Sequence, residues 1–121
     1  MSPGERARRE VLGDEHVDRA YASATPFSRQ WQEFATRYAW EGIWTRPGLD
    51  RRMRSAITLA VLTATRSEDE IAMHVHAALR HGLTPDEIAE VFLHTGIYAG
   101  VPTANAAFAI AQRVLEEQEG G

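Results

Sequence analysis

Apolar residues recur along nearly the whole chain at the three- and four-residue spacing of an α-helix. No stretch shows the sustained alternation of apolar and polar residues that a half-buried strand requires. Glycine and proline separate the apolar segments at intervals that suit helices of two to four turns. The pattern therefore predicts an all-α fold of six or seven helices. We expect helices over residues 4–12, 14–23, 27–41, 50–66, 68–81, 85–99 and 102–118, with a loop over residues 42–49.

Two boundaries carry strong local signals. Thr84, Pro85 and Glu87 form an N-cap, a proline at the first helical position and a capping-box partner. Further along, Gly100 is placed to end one helix and Pro102 to begin the next. The turn between these helices is either an ordinary connection or part of a pocket, and both interpretations stay open.

Length and composition exclude several classes of protein. The 121 residues are expected to form a single domain over residues 1–121, and the net charge is −4 with all 13 basic residues being scattered arginines. Nucleic acid and anionic membranes are therefore poor partners. The chain has no cysteine, which excludes disulfides, thiolate zinc sites and thiol redox chemistry. We recognise no signal peptide and no apolar run of about 18 residues, so we expect a cytoplasmic protein.

Two apolar features bear on packing. An aromatic stripe at helical spacing is expected to belong to the core rather than to a ligand-binding site; it consists of Phe27, Trp31, Phe34 and Tyr38. Residues 57–62 are apolar on every side, which predicts a buried central helix. Helices centred on Leu59 and Phe108 carry more apolar surface than a 13.5 kDa monomer buries, so we expect a homo-oligomer.

Among the five histidines, His74 is the strongest candidate for chemistry. It shares one helical face with Ile71, Val75 and Ala78, while Glu70 precedes it by four residues. The carboxylate favours the protonated imidazole and burial favours the neutral one, which suits a proton donor near neutral pH. A core histidine that is merely satisfied by a carboxylate is the alternative.

The other histidines do not suggest a metal site. His76 lies about 200° around the helix from His74, and no third ligand accompanies the pair. His81 falls in the last helical turn, where an imidazolium interacts favourably with the negative end of the helix dipole. No metal and no cofactor are predicted.

Several segments together resemble the 4-carboxymuconolactone decarboxylase (γ-carboxymuconolactone decarboxylase) family. The resemblance spans nearly the whole chain and rests on residues 9–17 (REVLGDEHV), 43–49 (IWTRPGL), 54–55 (RS), Glu70 with His74, 82–88 (GLTPDEI) and 98–102 (YAGVP). It implies the all-α fold shared with alkylhydroperoxidase D proteins, and a hexamer built as a trimer of dimers. Where the peroxidase branch has a glutamate, two cysteines and a histidine, this chain has Ser55, Ser67, Glu70 and His74. Peroxide reduction through thiols is therefore excluded.

The resemblance implies cofactor-independent decarboxylation of 4-carboxymuconolactone, a small-molecule lactone, to the β-ketoadipate enol-lactone in protocatechuate catabolism. His74 would deliver a proton, and Glu70 would hold it. The residues expected to bind substrate are Arg54 or Arg46 for the carboxylate, Tyr98 or His94 for the lactone oxygen, Trp44 as a wall, and His76 where relatives often have arginine. A decarboxylase or isomerase for another lactone or β-keto acid, and a non-catalytic helical assembly module, are the alternatives.

Overall fold

The computed structural model describes residues 1–120. Over this range the chain forms seven α-helices and one π-helical segment, with no β-strand. The predicted all-α fold is confirmed. Its internal contacts divide the chain into two compact units, Met1–Asp50 and the residues from Arg51 onward. The single domain over residues 1–121 stays a prediction.

The first unit contains three α-helices and the π-helical segment. Their bounds are α1 Pro3–Leu12, α2 Asp14–Ala22, α3 Pro26–Ala35 and the π-helix Thr36–Trp44. Hydroxyl caps begin two of these helices, since Ser2 Oγ accepts from the Glu5 amide and Thr25 pairs reciprocally with Ser28. The first helix α1 packs against the π-helix so closely that a Cβ at Gly4 would lie 2.6 Å from the Thr36 carbonyl oxygen.

The loop predicted over residues 42–49 begins later than expected. The chain continues from α3 as a π-helix through Trp44, although Gly42 lies within it. Glycine weakens a helix without forbidding it, whereas Pro47 lacks an amide hydrogen and restricts the residue before it. The prediction was therefore wrong for Gly42, Ile43 and Trp44, which are helical.

The second unit contains four α-helices, α4 Arg51–Ala64, α5 Glu68–Arg80, α6 Pro85–Ala99 and α7 Val101–Gly120. The capping box at the start of α6 is confirmed, because Glu87 accepts from the Thr84 amide at 2.9 Å and Thr84 Oγ1 accepts from the Glu87 amide at 3.1 Å. The predicted glycine at the end of α6 is also confirmed. Gly100 has φ 112°, and its amide donates to the Gly96 carbonyl at 3.0 Å.

The turn between α4 and α5 is a Schellman motif with an arginine in the left-handed position. Arg66 has φ 60°, its amide donates to Thr63 O at 3.1 Å, and the Ser67 amide donates to Leu62 O at 2.9 Å. This short turn makes α4 and α5 an antiparallel pair that packs side by side. The hydrogen bond between Leu62 and Ser67 closes the turn, so positions along α4 and α5 can be counted from these two residues.

The core of the second unit lies among its four helices. Its buried members are Leu59, Ile71, Val75, Ala78, Leu83, Ile88, Phe92, Ala107, Ala111 and Val114. Helices α6 and α7 approach closely at Gly96, where a Cβ would lie 2.9 Å from the Ala104 side chain. The small side chains of Gly96 and Ala104 thus allow this close approach.

Two packing predictions were wrong for the single chain. The aromatic stripe is exposed, with Phe27 at 86%, Trp31 at 68%, Phe34 at 46% and Tyr38 at 70%. Helix α4 buries one face only, because Ile57 and Val61 are also exposed. Helical spacing identifies an apolar face but does not say what covers it.

Candidate active site

His74 lies on the buried face of α5. His74 retains 8% of its solvent-accessible surface. It shares this face with Ile71, Val75 and Ala78, which belong to the core. The periodicity that placed His74 among apolar neighbours is therefore confirmed. Histidine is the side chain that most often acts as a general acid in proteins, and here its imidazole is largely screened from bulk water.

Glu70 lies one helical turn before His74, as the sequence indicates, but it is exposed. It belongs to the first turn of α5 together with Glu68 and Asp69, where negative charges interact favourably with the positive end of the helix dipole. Glu70 therefore has a structural contribution that the spacing alone did not suggest.

Ser55 is a buried polar residue that sequence reasoning did not assign to the site. Four residues with hydroxyls are buried in this unit, Ser55, Thr63, Thr95 and Thr103. The three threonines each donate to the carbonyl four residues earlier. Ser55 Oγ alone among them has no hydrogen-bond partner within the described chain. Two sequence signals could have found it: Ser55 is a small polar residue at the start of the buried stripe that continues through Leu59, and the family resemblance places it where the peroxidase branch has a glutamate.

The residues predicted to bind the substrate carboxylate and to form a wall beside its ring are divided between the two units: Arg54 belongs to the second, and Arg46 and Trp44 belong to the first. Arg54 lies on α4 beside Ser55 and is half-buried. Trp44 is buried at the end of the π-helix, where its ring stacks on Trp40 with centroids 5.4 Å apart. Arg46 follows it in the exposed segment of the first unit.

The remaining candidates lie on two helix faces of the second unit. His94 and Tyr98 are both exposed on α6, one turn apart, with ring centroids separated by 5.4 Å. His76 does not join His74 but reaches the C-terminal helix, where its Nδ1 lies 3.3 Å from Gln118 Nε2. The structure therefore pairs His94 with Tyr98 and separates His76 from His74.

An apolar groove of about 290 Å³ runs along α6 and α7. Phe92 and Phe108 line it, their rings meeting edge to face, and Glu116 and Glu119 lie at its border. None of the predicted site residues lines this groove. Among residues 1–120 no group of three or more histidine and carboxylate side chains is arranged to hold a metal ion. No helix in this range is both long and apolar enough to span a membrane.

Comparison with known proteins gives a consistent picture. Residues 29–113 match the carboxymuconolactone decarboxylase family. A 4-carboxymuconolactone decarboxylase of Acinetobacter baylyi is 44% identical over 94% of this chain and 85% of its own length. A nitrosuccinic acid decarboxylase of Metarhizium robertsii is 39% identical over 94% of this chain and 80% of its own length. An uncharacterized 15.0 kDa protein of Paracoccus denitrificans is 34% identical over 61% of this chain and 57% of its own length.

The family match extends over most of the second unit, including the helix that carries Glu70 and His74, and two relatives named as decarboxylases cover nearly all of the chain. The chain belongs to the carboxymuconolactone decarboxylase family.

Proposed function

We propose that this protein is a carboxy-lyase that decarboxylates 4-carboxymuconolactone to the β-ketoadipate enol-lactone, without a cofactor. The observation that carries the proposal is the 44% identity to a 4-carboxymuconolactone decarboxylase across nearly the full length of both chains. The buried His74 supplies the acid that this chemistry needs. The reaction belongs to the breakdown of aromatic compounds through protocatechuate.

The chemistry is a decarboxylation assisted by a conjugated carbonyl. The bond between the γ-carbon of the lactone and its carboxylate breaks, and its electron pair moves through the ring double bond to the lactone carbonyl oxygen. Carbon dioxide leaves, and a dienolate is left. A proton then joins the α-carbon, which gives the enol-lactone. The protein must hold the carboxylated substrate, stabilise the developing oxyanion and deliver one proton.

His74 is the proposed proton donor, with Glu70 favouring its protonated form from four residues away. Its buried position supports the proposal, since a donor screened from bulk water delivers its proton to substrate rather than to solvent. Arg54 is the preferred anchor for a substrate carboxylate, because it is half-buried and its guanidinium binds carboxylates with two parallel hydrogen bonds. Arg46 and His76 are the alternative cations.

Three further residues have proposed contacts with the lactone. His94 and Tyr98 present hydrogen-bond donors on one face of α6, which suits polar groups of the substrate. Trp44 has an indole ring whose burial suits a wall against a planar lactone. These are binding roles, and each would appear as a rise in KM when the side chain is removed.

We also propose that the protein works in the cytoplasm as a single-domain subunit of a homohexamer, a trimer of dimers. The exposed aromatic stripe supports self-association. The four rings present roughly 500 Å² of apolar surface if each side chain has about 200 Å², which is near the largest patch that a soluble monomer usually exposes.

The test is the loss of ultraviolet absorbance of 4-carboxymuconolactone, with release of carbon dioxide, when purified protein is added after extensive dialysis against EDTA. Turnover at an unchanged rate is expected. Restoration of lost activity by one divalent ion would contradict cofactor independence. Nitrosuccinic acid is the informative second substrate because a relative is named for it. Turnover of that acid alone would reassign the substrate, and turnover of neither would favour the two alternatives, an enzyme for another lactone or β-keto acid or a non-catalytic assembly module.

A further inference from the structure

The hydroxyl of Ser55 has no hydrogen-bond partner within residues 1–120, although the residue retains only 1% of its surface. Burying a hydroxyl without a partner is unfavourable, because the group gives up its bonds to water and receives nothing in return. Thr63, two turns along the same helix face, shows the ordinary solution, since its hydroxyl donates to Leu59 O at 2.7 Å. Ser55 makes no such bond to its own helix. We therefore interpret the Ser55 hydroxyl as a group that forms its hydrogen bond with a bound molecule.

Helix geometry places Ser55 and His74 at about the same distance from the α4–α5 turn. The hydrogen bond from the Ser67 amide to Leu62 O joins the two helices at their turn. Ser55 stands seven residues before Leu62, and His74 stands seven residues after Ser67. Because each helix rises about 1.5 Å per residue, both positions lie about 10 Å from the turn.

Both residues also belong to the buried faces of their helices, and α4 and α5 pack against each other. Packed helix axes lie about 8–10 Å apart, so a serine and a histidine at one height approach the same region of the interface. His74 retains 8% of its surface and Ser55 1%, so His74 is the more accessible of the two.

We propose that Ser55 is a further catalytic residue, whose hydroxyl donates a hydrogen bond to the lactone carbonyl oxygen beside the carbon that His74 protonates. This inference rests on the proposed decarboxylation. The carbonyl oxygen and the α-carbon are both bonded to the carbonyl carbon, so their donors must come from neighbouring positions in the protein. Helix geometry places Ser55 and His74 at neighbouring positions of the α4–α5 hairpin, as this requirement demands.

The chemistry of the step explains why an unpaired hydroxyl is useful. When the carboxylate leaves, its electron pair reaches the carbonyl oxygen, and the hydrogen bond from Ser55 strengthens as that oxygen becomes negative. A donor that is already held in place and desolvated acts without reorganisation. When His74 then protonates the α-carbon, the π electron pair at that carbon forms the carbon–hydrogen bond and a lone pair of the oxygen re-forms the carbonyl double bond, while the Ser55 proton stays on its own oxygen.

The test compares Ser55→Ala with Thr63→Val, a matched control that removes a buried hydroxyl from the same helix face. Ser55→Ala should lower kcat about 100-fold, the range for losing one oxyanion donor, with KM little changed. Its thermal midpoint should equal or exceed that of the wild type, because no hydrogen bond within the protein is lost. Thr63→Val should lose thermal stability and keep its kcat.

A second measurement tests stabilisation of the same oxyanion in a reaction that releases no carbon dioxide. The wild-type protein should catalyse exchange of the α-hydrogens of the enol-lactone product with deuterium oxide, observed by NMR, and Ser55→Ala should slow this exchange by a similar factor. Ser55→Cys, which keeps a weak donor of similar size, should fall between the two.

A kcat for Ser55→Ala within about threefold of the wild type would overturn the assignment and leave the decarboxylase proposal intact. An equal loss of kcat in Thr63→Val would overturn it as well, since disturbed packing would then be the cause. Wild-type protein that does not turn over the lactone at all would reject the proposed function, and the role of Ser55 with it.

Discussion

Replacing His74 by glutamine separates a catalytic histidine from a core histidine. Glutamine is polar, reaches a similar length and carries no titratable proton, so the change removes the acid while keeping a hydrogen-bonding side chain in the buried face of α5. If His74 protonates the dienolate, kcat should fall by about 10²- to 10⁴-fold, the range for a lost general acid.

The buried position of His74 limits how much of that loss unfolding can explain. Removing a buried hydrogen-bonding group costs about 1–3 kcal/mol of the free energy of unfolding. A domain of ordinary size has about 5–15 kcal/mol, so even the largest cost leaves more than about nine molecules in ten folded. A 100-fold fall in kcat would therefore be chemical.

The assay measures kcat and the thermal midpoint on the same preparations of His74→Gln and His81→Gln. His81 is a suitable control because it caps the end of the same helix and has no proposed contact with the substrate. The control should retain kcat. Near-normal kcat in His74→Gln together with a large fall in thermal midpoint would refute the catalytic role and leave His74 as a core residue.

Glu70→Gln tests the partner of that histidine. The carboxylate is exposed, and pairs of charges four residues apart on a helix contribute about 0.2–0.5 kcal/mol. Loss of the negative charge should therefore move the basic limb of the kcat–pH profile to lower pH by a fraction of a unit, with a modest fall in kcat. A profile that moves to higher pH would contradict the proposed support of the protonated imidazole.

Three further outcomes are expected. Sedimentation at micromolar concentration should give an oligomer, and Trp31→Asp, at the centre of the exposed stripe, should weaken it; a monomeric wild type would exclude self-association. Arg66→Gly should raise the free energy of unfolding by up to about 1 kcal/mol, because glycine adopts positive φ freely and the exposed ion pair with Glu68 is worth less; lower stability in urea would contradict this. Hydrogen bonding from the Thr84 amide holds the pKa of Glu87 below its ordinary value of 4.5, so this carboxylate stabilises the protein above that pH and loses its effect as the pH falls through the lowered pKa; Glu87→Gln should reduce stability at neutral pH, and a difference that persisted in strong acid would contradict the assignment.

The features that the sequence determined are those with local physical causes. The start of α6 follows from Thr84 and Glu87, which bond to each other's backbone three residues apart. The end of α6 follows from Gly100, because the left-handed conformation is available to glycine without strain. The burial of His74 follows from its spacing with apolar neighbours, since helical periodicity alone places it on their face.

The tertiary structure decided what those local patterns leave open. The aromatic stripe looks like a core face in the sequence, yet Trp31 is exposed, because periodicity defines a face but its covering depends on distant elements or on other chains. Arg66 adopts a left-handed conformation that the sequence does not indicate, because the position holds no glycine. The hydrogen bonds that close the α4–α5 turn account for this conformation. Ser55 stands out only once every neighbouring hydrogen bond is accounted for, because an unpaired buried hydroxyl is defined by the groups packed around it and not by its place in the sequence.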